Sequence, residues 1–76
     1  MQQKYTWNDQ VRIHPDAPMR FKPGATATVV GTGVCNHEKT MEKTGAELGE
    51  PTYTVEYLDG SDAYIAEKWL LPDDGK

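Results

Sequence analysis

The alternating run from Thr52 to Tyr57, with Asp59-Gly60 close behind it, limits what this chain can fold into more than any other feature. Its apolar members, Tyr53 and Val55 among them, recur at every second position, which is the period of a half-buried strand. Asp-Gly is a strong hairpin signal, because glycine accepts a positive φ and aspartate bonds its own backbone. Ala63 to Ala66 then predicts the returning strand.

Alternation predicts two earlier strands, at Asp9 to His14 and at Ala25 to Val30. Between them, three prolines make residues 15–24 a loop, since proline removes a backbone donor and restricts the residue before it. Phe21 is expected to anchor this loop to the interior. Trp7 is expected to cap one edge of the core.

Residues 31–51 lack a strand pattern and predict a long loop, in which residues 37–43 could form one or two helical turns. Glu67 to Pro72 predicts a 3₁₀ turn and a last short strand. Residues 1–6 and 73–76 are expected to form a loose arm and tail. The whole predicts a single all-β domain, a small five-stranded antiparallel barrel that is closed or nearly closed, because closure removes exposed strand edges.

The size and the charge of the chain limit the functions that it can have. A domain of 76 residues has a core that supplies roughly 3–5 kcal/mol of net stability, which leaves little room for a self-contained active site. The net charge is −4, divided as +2 over residues 1–30 and −6 over residues 31–76. A clustered basic face is what phosphate backbones require, so nucleic-acid binding is disfavoured.

Cys35 is the chain's one cysteine, so no intrachain disulfide is possible. The first residues lack the apolar run of a signal peptide, and no stretch has the ~20 apolar residues of a membrane span. A cytoplasmic location follows as the expectation. Cys35 and His37 alone do not make a zinc site, which needs at least three protein ligands, so a surface thiol, a solvated histidine and no metal or other cofactor are predicted.

Several short patterns occur in a recognisable order along the chain. Together they resemble the SH3-like barrels of the electron-transport-accessory group, and above all the C-terminal barrel of the nitrile hydratase β subunit. The patterns that carry this resemblance are Asp9-Gln10-Val11-Arg12-Ile13, Arg20-Phe21-Lys22-Pro23-Gly24, Thr28-Val29-Val30, Leu48-Gly49-Glu50-Pro51 with Tyr53-Thr54-Val55, and Glu67-Lys68-Trp69-Leu70-Leu71-Pro72. Ala27 stands where the family typically has glycine, and the family's N-terminal helical domain has no counterpart here.

The resemblance implies a fold and a role that faces a partner. The nitrile hydratase β subunit does not supply the metal ligands, and the arginine that corresponds to Arg20 faces the α subunit. The same group contains non-catalytic proteins, namely an accessory protein of photosystem I and the variable subunit of ferredoxin–thioredoxin reductase. It also contains the type II dihydrofolate reductase, whose tetramer forms one active site in a central pore. The pore strand of that enzyme would fall at Ala63 to Ala66, where only Ile65 matches.

We therefore predict a non-catalytic accessory or protein-interaction module that binds another subunit or itself. The residues expected to contact the partner are Arg20, Phe21, Tyr64 and Trp69, and the 31–51 loop is expected to belong to the same face of the barrel. For the aromatic residues the competing interpretation is burial in the core, favoured for Tyr53 and Trp69. For Arg20 it is an ordinary surface position. An oligomeric enzyme with a pore site and a weak nucleic-acid binder stay open as alternative functions.

Overall fold

A computed structural model describes residues 4–73 of the chain. Five strands form one antiparallel sheet, with one short helix and two 3₁₀ turns. The strands are β1 (Gln10–Ile13), β2 (Thr26–Val34), β3 (Pro51–Tyr57), β4 (Asp62–Ala66) and β5 (Leu70–Pro72). The helix α1 spans Glu38–Thr44, and the 3₁₀ turns span Met19–Phe21 and Glu67–Trp69. The predicted all-β, five-stranded antiparallel fold and the 3₁₀ turn near the C-terminus are confirmed.

The central hairpin is confirmed, and its turn has a defined geometry. Gly60 adopts φ 88°, and its N–H donates to the Tyr57 carbonyl over 3.0 Å. The Tyr57 N–H in turn donates to the Ser61 carbonyl over 2.7 Å. The loop therefore has three residues and ends in a glycine bulge, a common connection between antiparallel strands.

The sheet is not closed into a barrel. Its strand order is β4-β3-β2-β1-β5, and no ladder joins β4 to β5 in residues 4–73. β5 has three residues and ends at Pro72, which has no N–H to donate. A closed or nearly closed barrel was predicted, and the sheet is open instead, with two edges, one at β4 and one at β5.

β2 runs four residues further than the alternating pattern predicted, through Gly31 and Gly33 to Val34. A bulge at Val30 makes this possible, because the register with β3 shifts between Val29 and Gly31. Gly31 and Gly33 then lie opposite Thr54 and Thr52. Residues 31–34, expected in a loop, are strand.

The inner face of the sheet packs on the larger of two apolar clusters, which forms the main core. Phe21 is 3% exposed, which confirms that it anchors the proline-rich loop. Trp7 does not cap the core, since it is 66% exposed. The buried members of the core are Tyr5, Val11, Ile13, Ala17, Phe21, Ala27, Val29, Tyr53, Val55, Tyr57, Ile65 and Leu70.

The hydroxyl of Tyr53 ties the N-terminal residues to this core. It accepts hydrogen bonds from the backbone N–H groups of Lys4 and Tyr5, over 3.1 and 3.2 Å, and donates to Glu67 Oε2 over 2.6 Å. The Tyr5 ring packs edge-on against Tyr53 with centroids 5.6 Å apart. Lys4 to Thr6 were expected to belong to a loose arm, but Tyr5 is buried. Residues 1–3 and 74–76 lie outside the described residues.

The predicted helical turns are confirmed as α1. His37 caps the N-terminus, its Nδ1 accepting from the Lys39 N–H over 3.2 Å. Gly45 ends the helix in the left-handed conformation, with φ 79°, and its N–H donates to the Met41 carbonyl. The helix covers a second small cluster formed by Cys35, Ala46 and Ala66, against which Met41 and Trp69 pack.

Candidate functional site

An open cleft of about 320 Å³ lies where three separate parts of the chain meet. The first 3₁₀ turn contributes Arg20 and Phe21, the end of α1 contributes Lys43, and β4 contributes Ala63 and Tyr64. Three of the four residues predicted to contact a partner thus line one cleft.

Arg20 holds two walls of this cleft together. Its Nη2 donates to the carbonyls of Glu42 and Lys43, over 2.9 and 3.4 Å. These carbonyls lie in the last turn of α1, where backbone acceptors have no partner within the helix and a cation is favoured. The guanidinium also lies over the Phe21 ring, 4.7 Å from its centroid. Arg20 is exposed, and its hydrogen bonds within the described chain use Nη2 alone, so Nη1 and Nε stay free to donate.

Tyr64 lies on the sheet face opposite to Ile65, as its position in β4 requires. Its hydroxyl accepts from Thr52 Oγ1 over 3.1 Å. A Cβ at Gly33 would lie 3.6 Å from that hydroxyl, an ordinary van der Waals distance, so the Tyr64 side chain reaches across β3 as far as β2. The side chain is half-buried, which gives the cleft a fixed aromatic wall.

Phe21 and Trp69 were predicted to contact a partner, but both pack mainly against apolar residues of the domain itself. Phe21 borders the cleft but belongs mainly to the core. Trp69 is half-buried, packs against both apolar clusters and does not line the cleft. Its Nε1 is buried without a hydrogen-bond partner in the described chain, and lies beside Gly45.

Lys43 and Ala63 belong to the cleft and were not singled out as site residues, although Lys43 lies in the segment 31–51 that was expected at the partner-binding face. The charge pattern of residues 38–44 does not show which lysine faces the sheet, and Ala63 reads as an ordinary small strand residue. Lys43 is exposed, and its Nζ makes no hydrogen bond or ion pair within residues 4–73. The cleft therefore carries two cations, Arg20 and Lys43, on a chain whose net charge is −4.

A second cleft of about 280 Å³ lies beside the hairpin turn, lined by Lys22, Ala25, Thr26, Tyr57, Leu58 and Asp59. Lys22 Nζ donates to Asp59 Oδ2 over 3.0 Å and lies 4.7 Å from the centre of the Tyr57 ring. Hydrogen bonds from Ser61 and Lys22 hold the pKa of Asp59 well below its usual range. The polar groups at this cleft already satisfy one another, so it offers fewer free donors than the first.

Cys35 is fully buried, and the prediction of a surface thiol is wrong. The chain after α1 folds back over it, and its Sγ lies 3.9 Å from the Ala46 carbonyl. His37 is exposed and caps α1 instead of joining Cys35 in a site. Within residues 4–73, no three His, Cys, Asp or Glu side chains converge to hold a metal ion.

The burial of Cys35 has a direct chemical consequence. We expect its reaction with a disulfide reagent to be slower in the native protein than in guanidinium chloride by roughly two to four orders of magnitude, because a domain with about 3–5 kcal/mol of stability opens rarely. Absorbance at the wavelength of the released thiolate gives both rates, with glutathione as the control for the effect of denaturant on the reagent. Equal rates in the two conditions would contradict the burial.

No family model, curated protein or solved structure matches this chain. None of the helices in residues 4–73 is long and apolar enough to span a membrane.

Proposed function

We propose that this chain is a protein-interaction module without a catalytic site of its own, and that it binds its partner at the cleft between the first 3₁₀ turn, α1 and β4. One observation carries the proposal: Arg20, Lys43 and Tyr64, which are far apart in sequence, converge on one open cleft. Arginine and tyrosine are among the residues that contribute most to protein interfaces, and Lys43 adds a second positive charge beside them.

The likeness of the sequence to the nitrile hydratase β-subunit barrel supports the same role. In that family the arginine that corresponds to Arg20 faces the partner subunit. Here Arg20 stabilises one wall of the cleft and still has free donors. An arginine with part of its fork unused is suited to a carboxylate on a partner.

Photo-crosslinking at the cleft tests this proposal. A photoreactive phenylalanine derivative at position 64 is expected to cross-link a discrete protein, whereas the same derivative at position 58, on the second cleft, is not. Lys43→Glu should reduce the yield about tenfold, because it places a like charge against an acidic partner. Lys39→Glu is the matched control, since it makes the same charge change on the same exposed helix away from the cleft.

Two results would count against the proposal. One is an equal cross-linking yield for Lys43→Glu and Lys39→Glu. The other is a protein that sediments as a monomer at micromolar concentration and cross-links nothing at position 64. Dimers cross-linked between two copies would identify the partner as the chain itself.

A further inference from the structure

β4 is an edge strand, and its hydrogen-bonding pattern shows which backbone groups face away from the sheet. The Tyr57–Ser61 pair is hydrogen-bonded, and bonded pairs alternate along an antiparallel ladder. Ala63 and Ile65, which lie opposite Val55 and Tyr53, are therefore the bonded residues of β4. Asp62, Tyr64 and Ala66 direct their N–H and C=O groups away from β3.

Part of this edge is open. Ala66 is covered by the cluster with Cys35 and Ala46. Asp62 and Tyr64 form no other backbone–backbone hydrogen bond within residues 4–73. Their unpaired groups lie beside the cleft that Ala63 and Tyr64 line. An unpaired strand edge next to a cleft is the arrangement to which an extended peptide can add a strand.

We propose that an extended, carboxylate-bearing segment of a partner protein pairs with β4 at Asp62–Tyr64 and places an acidic side chain between Arg20 and Lys43. This inference rests on the proposed function and specifies the form of the partner. The backbone bonds fix the direction of the segment, and the cleft selects its side chains.

The charges around the cleft favour an acidic segment. Lys43 Nζ, with Arg20 Nη1 and Nε, forms a group of free donors that a carboxylate satisfies. Asp62 is exposed two residues away on the same edge, so the part of the segment beside it is neutral or basic. The other edge of the sheet, β5, has three residues and ends at Pro72, and it offers no comparable run of donors.

The side chains of such a segment divide between the two faces of the sheet. A residue directly opposite Tyr64 shares its face of the sheet, which is the face that also carries Thr54. Its neighbours in the segment share the face of Ala63, beside Phe21, where a short apolar side chain fits. The segment is therefore short, with an acidic residue at its centre and a short apolar residue on each side of it.

A synthetic peptide tests the pairing directly. The probe is acetyl-Thr-Thr-Val-Glu-Val-Thr-Thr-amide, titrated into the ¹⁵N-labelled protein. We expect the amide protons of Asp62 and Tyr64 to shift and their hydrogen exchange to slow at least tenfold, while that of Leu58 is unchanged. In a paired peptide, the N–H groups of alternate residues face β4 and those of the other residues face solvent. N-methylation of the first set should weaken binding at least tenfold, and N-methylation of the second set should weaken it less than threefold.

Charge variants complete the test. Lys43→Glu should weaken binding about tenfold and Lys39→Glu should not, and exchanging the peptide's glutamate for lysine should have the same effect as Lys43→Glu. Tyr64→Pro removes an N–H that is not used in the β3 ladder and should abolish binding. Tyr64→Val keeps that N–H and loses only the aromatic wall of the cleft, so it should weaken binding less than Tyr64→Pro does. The exchange measurement on the unmodified protein needs no variant, so a Tyr64→Pro chain that does not fold leaves the test intact.

Three outcomes would overturn strand addition. They are equal binding of both N-methylated peptides, no slowing of exchange at Asp62 and Tyr64, and no binding of the acidic peptide at millimolar concentration. The exchange of these amides could also be slow in the absence of peptide and become fast when the protein is diluted. That result would show that a second copy of the chain pairs with this edge, and it would also overturn the proposal. If cross-linking at position 64 still depends on Lys43 in any of these cases, the proposed function stands and only the form of the partner is wrong.

Discussion

Gly45→Ala is expected to lower the free energy of unfolding by about 2–4 kcal/mol, which is most of the stability that a domain of this size has. Gly45 has φ 79°, a conformation that costs a residue with a Cβ about 1 kcal/mol. A Cβ there would also lie 2.7 Å from Trp69 Nε1, closer than van der Waals contact allows. The indole is held between two apolar clusters, so relieving the clash adds about 1–3 kcal/mol.

Gly49→Ala separates the two causes. Gly49 has φ 89° but no atom within 4 Å of the added Cβ, so it carries the backbone strain without the clash. We expect this control to cost about 1 kcal/mol. Urea unfolding followed by tryptophan fluorescence measures both variants. If Gly45→Ala is no less stable than Gly49→Ala, the tight packing of Trp69 on the end of α1 is wrong.

Alkaline pH is expected to destabilise the protein through Tyr53. Burial, together with the hydrogen bond to Glu67, raises the pKa of Tyr53 to about 12 in the folded state, from 10.0 for an unperturbed tyrosine. Below pH 10 the phenol is neutral in both states and stability is unaffected. Between about pH 10 and 12 the unfolded chain loses the proton and the folded chain keeps it, so roughly 2–3 kcal/mol of stability is lost as pH rises. Burial raises the pKa values of Tyr5 and Tyr57 as well, and these act in the same direction.

Tyr53→Phe provides the control for this pH dependence. The variant removes the ionisable group, so its unfolding free energy should fall less steeply above pH 10 than that of the natural chain. At pH 7 it should be less stable by about 1–3 kcal/mol, because the buried Tyr5 N–H loses its acceptor. Urea midpoints from pH 8 to 12 measure both effects. The same slope in both proteins would show that Tyr53 does not control the alkaline transition.

Much of the sheet was predictable because its strands carry a local signal. Val55 and Tyr57 alternate with polar residues, and Gly60 permits the turn, so the hairpin follows from short-range chemistry. The end of β2 was not predictable in this way. Glycine weakens a strand, and Gly31 and Gly33 read as a turn. They belong to β2 because the bulge at Val30 changes the register, which depends on the neighbouring strand.

In the candidate site, too, some residues could be predicted from local sequence and others depend on tertiary packing. Tyr64 could be assigned to the face opposite Ile65 from alternation alone, and Arg20 was singled out through a family resemblance. Lys43 was missed because the position of α1 on the sheet is set by tertiary packing around Cys35 and Ala66. The burial of Cys35 was missed for the same reason, since no periodic pattern surrounds it. The cytoplasmic location and the nitrile hydratase likeness stay predictions.

The hydrogen bonds from Arg20 to the end of α1 make the helix and the distant loop interdependent. Seven residues are too few for a stable isolated helix in water, so α1 exists only while the rest of the domain supports it. A synthetic fragment that spans either wall by itself would consequently lack the proposed binding surface, even with every residue of that wall present. The recognition that we propose is in that sense a property of the intact tertiary structure, and we expect it to be lost whenever the domain unfolds.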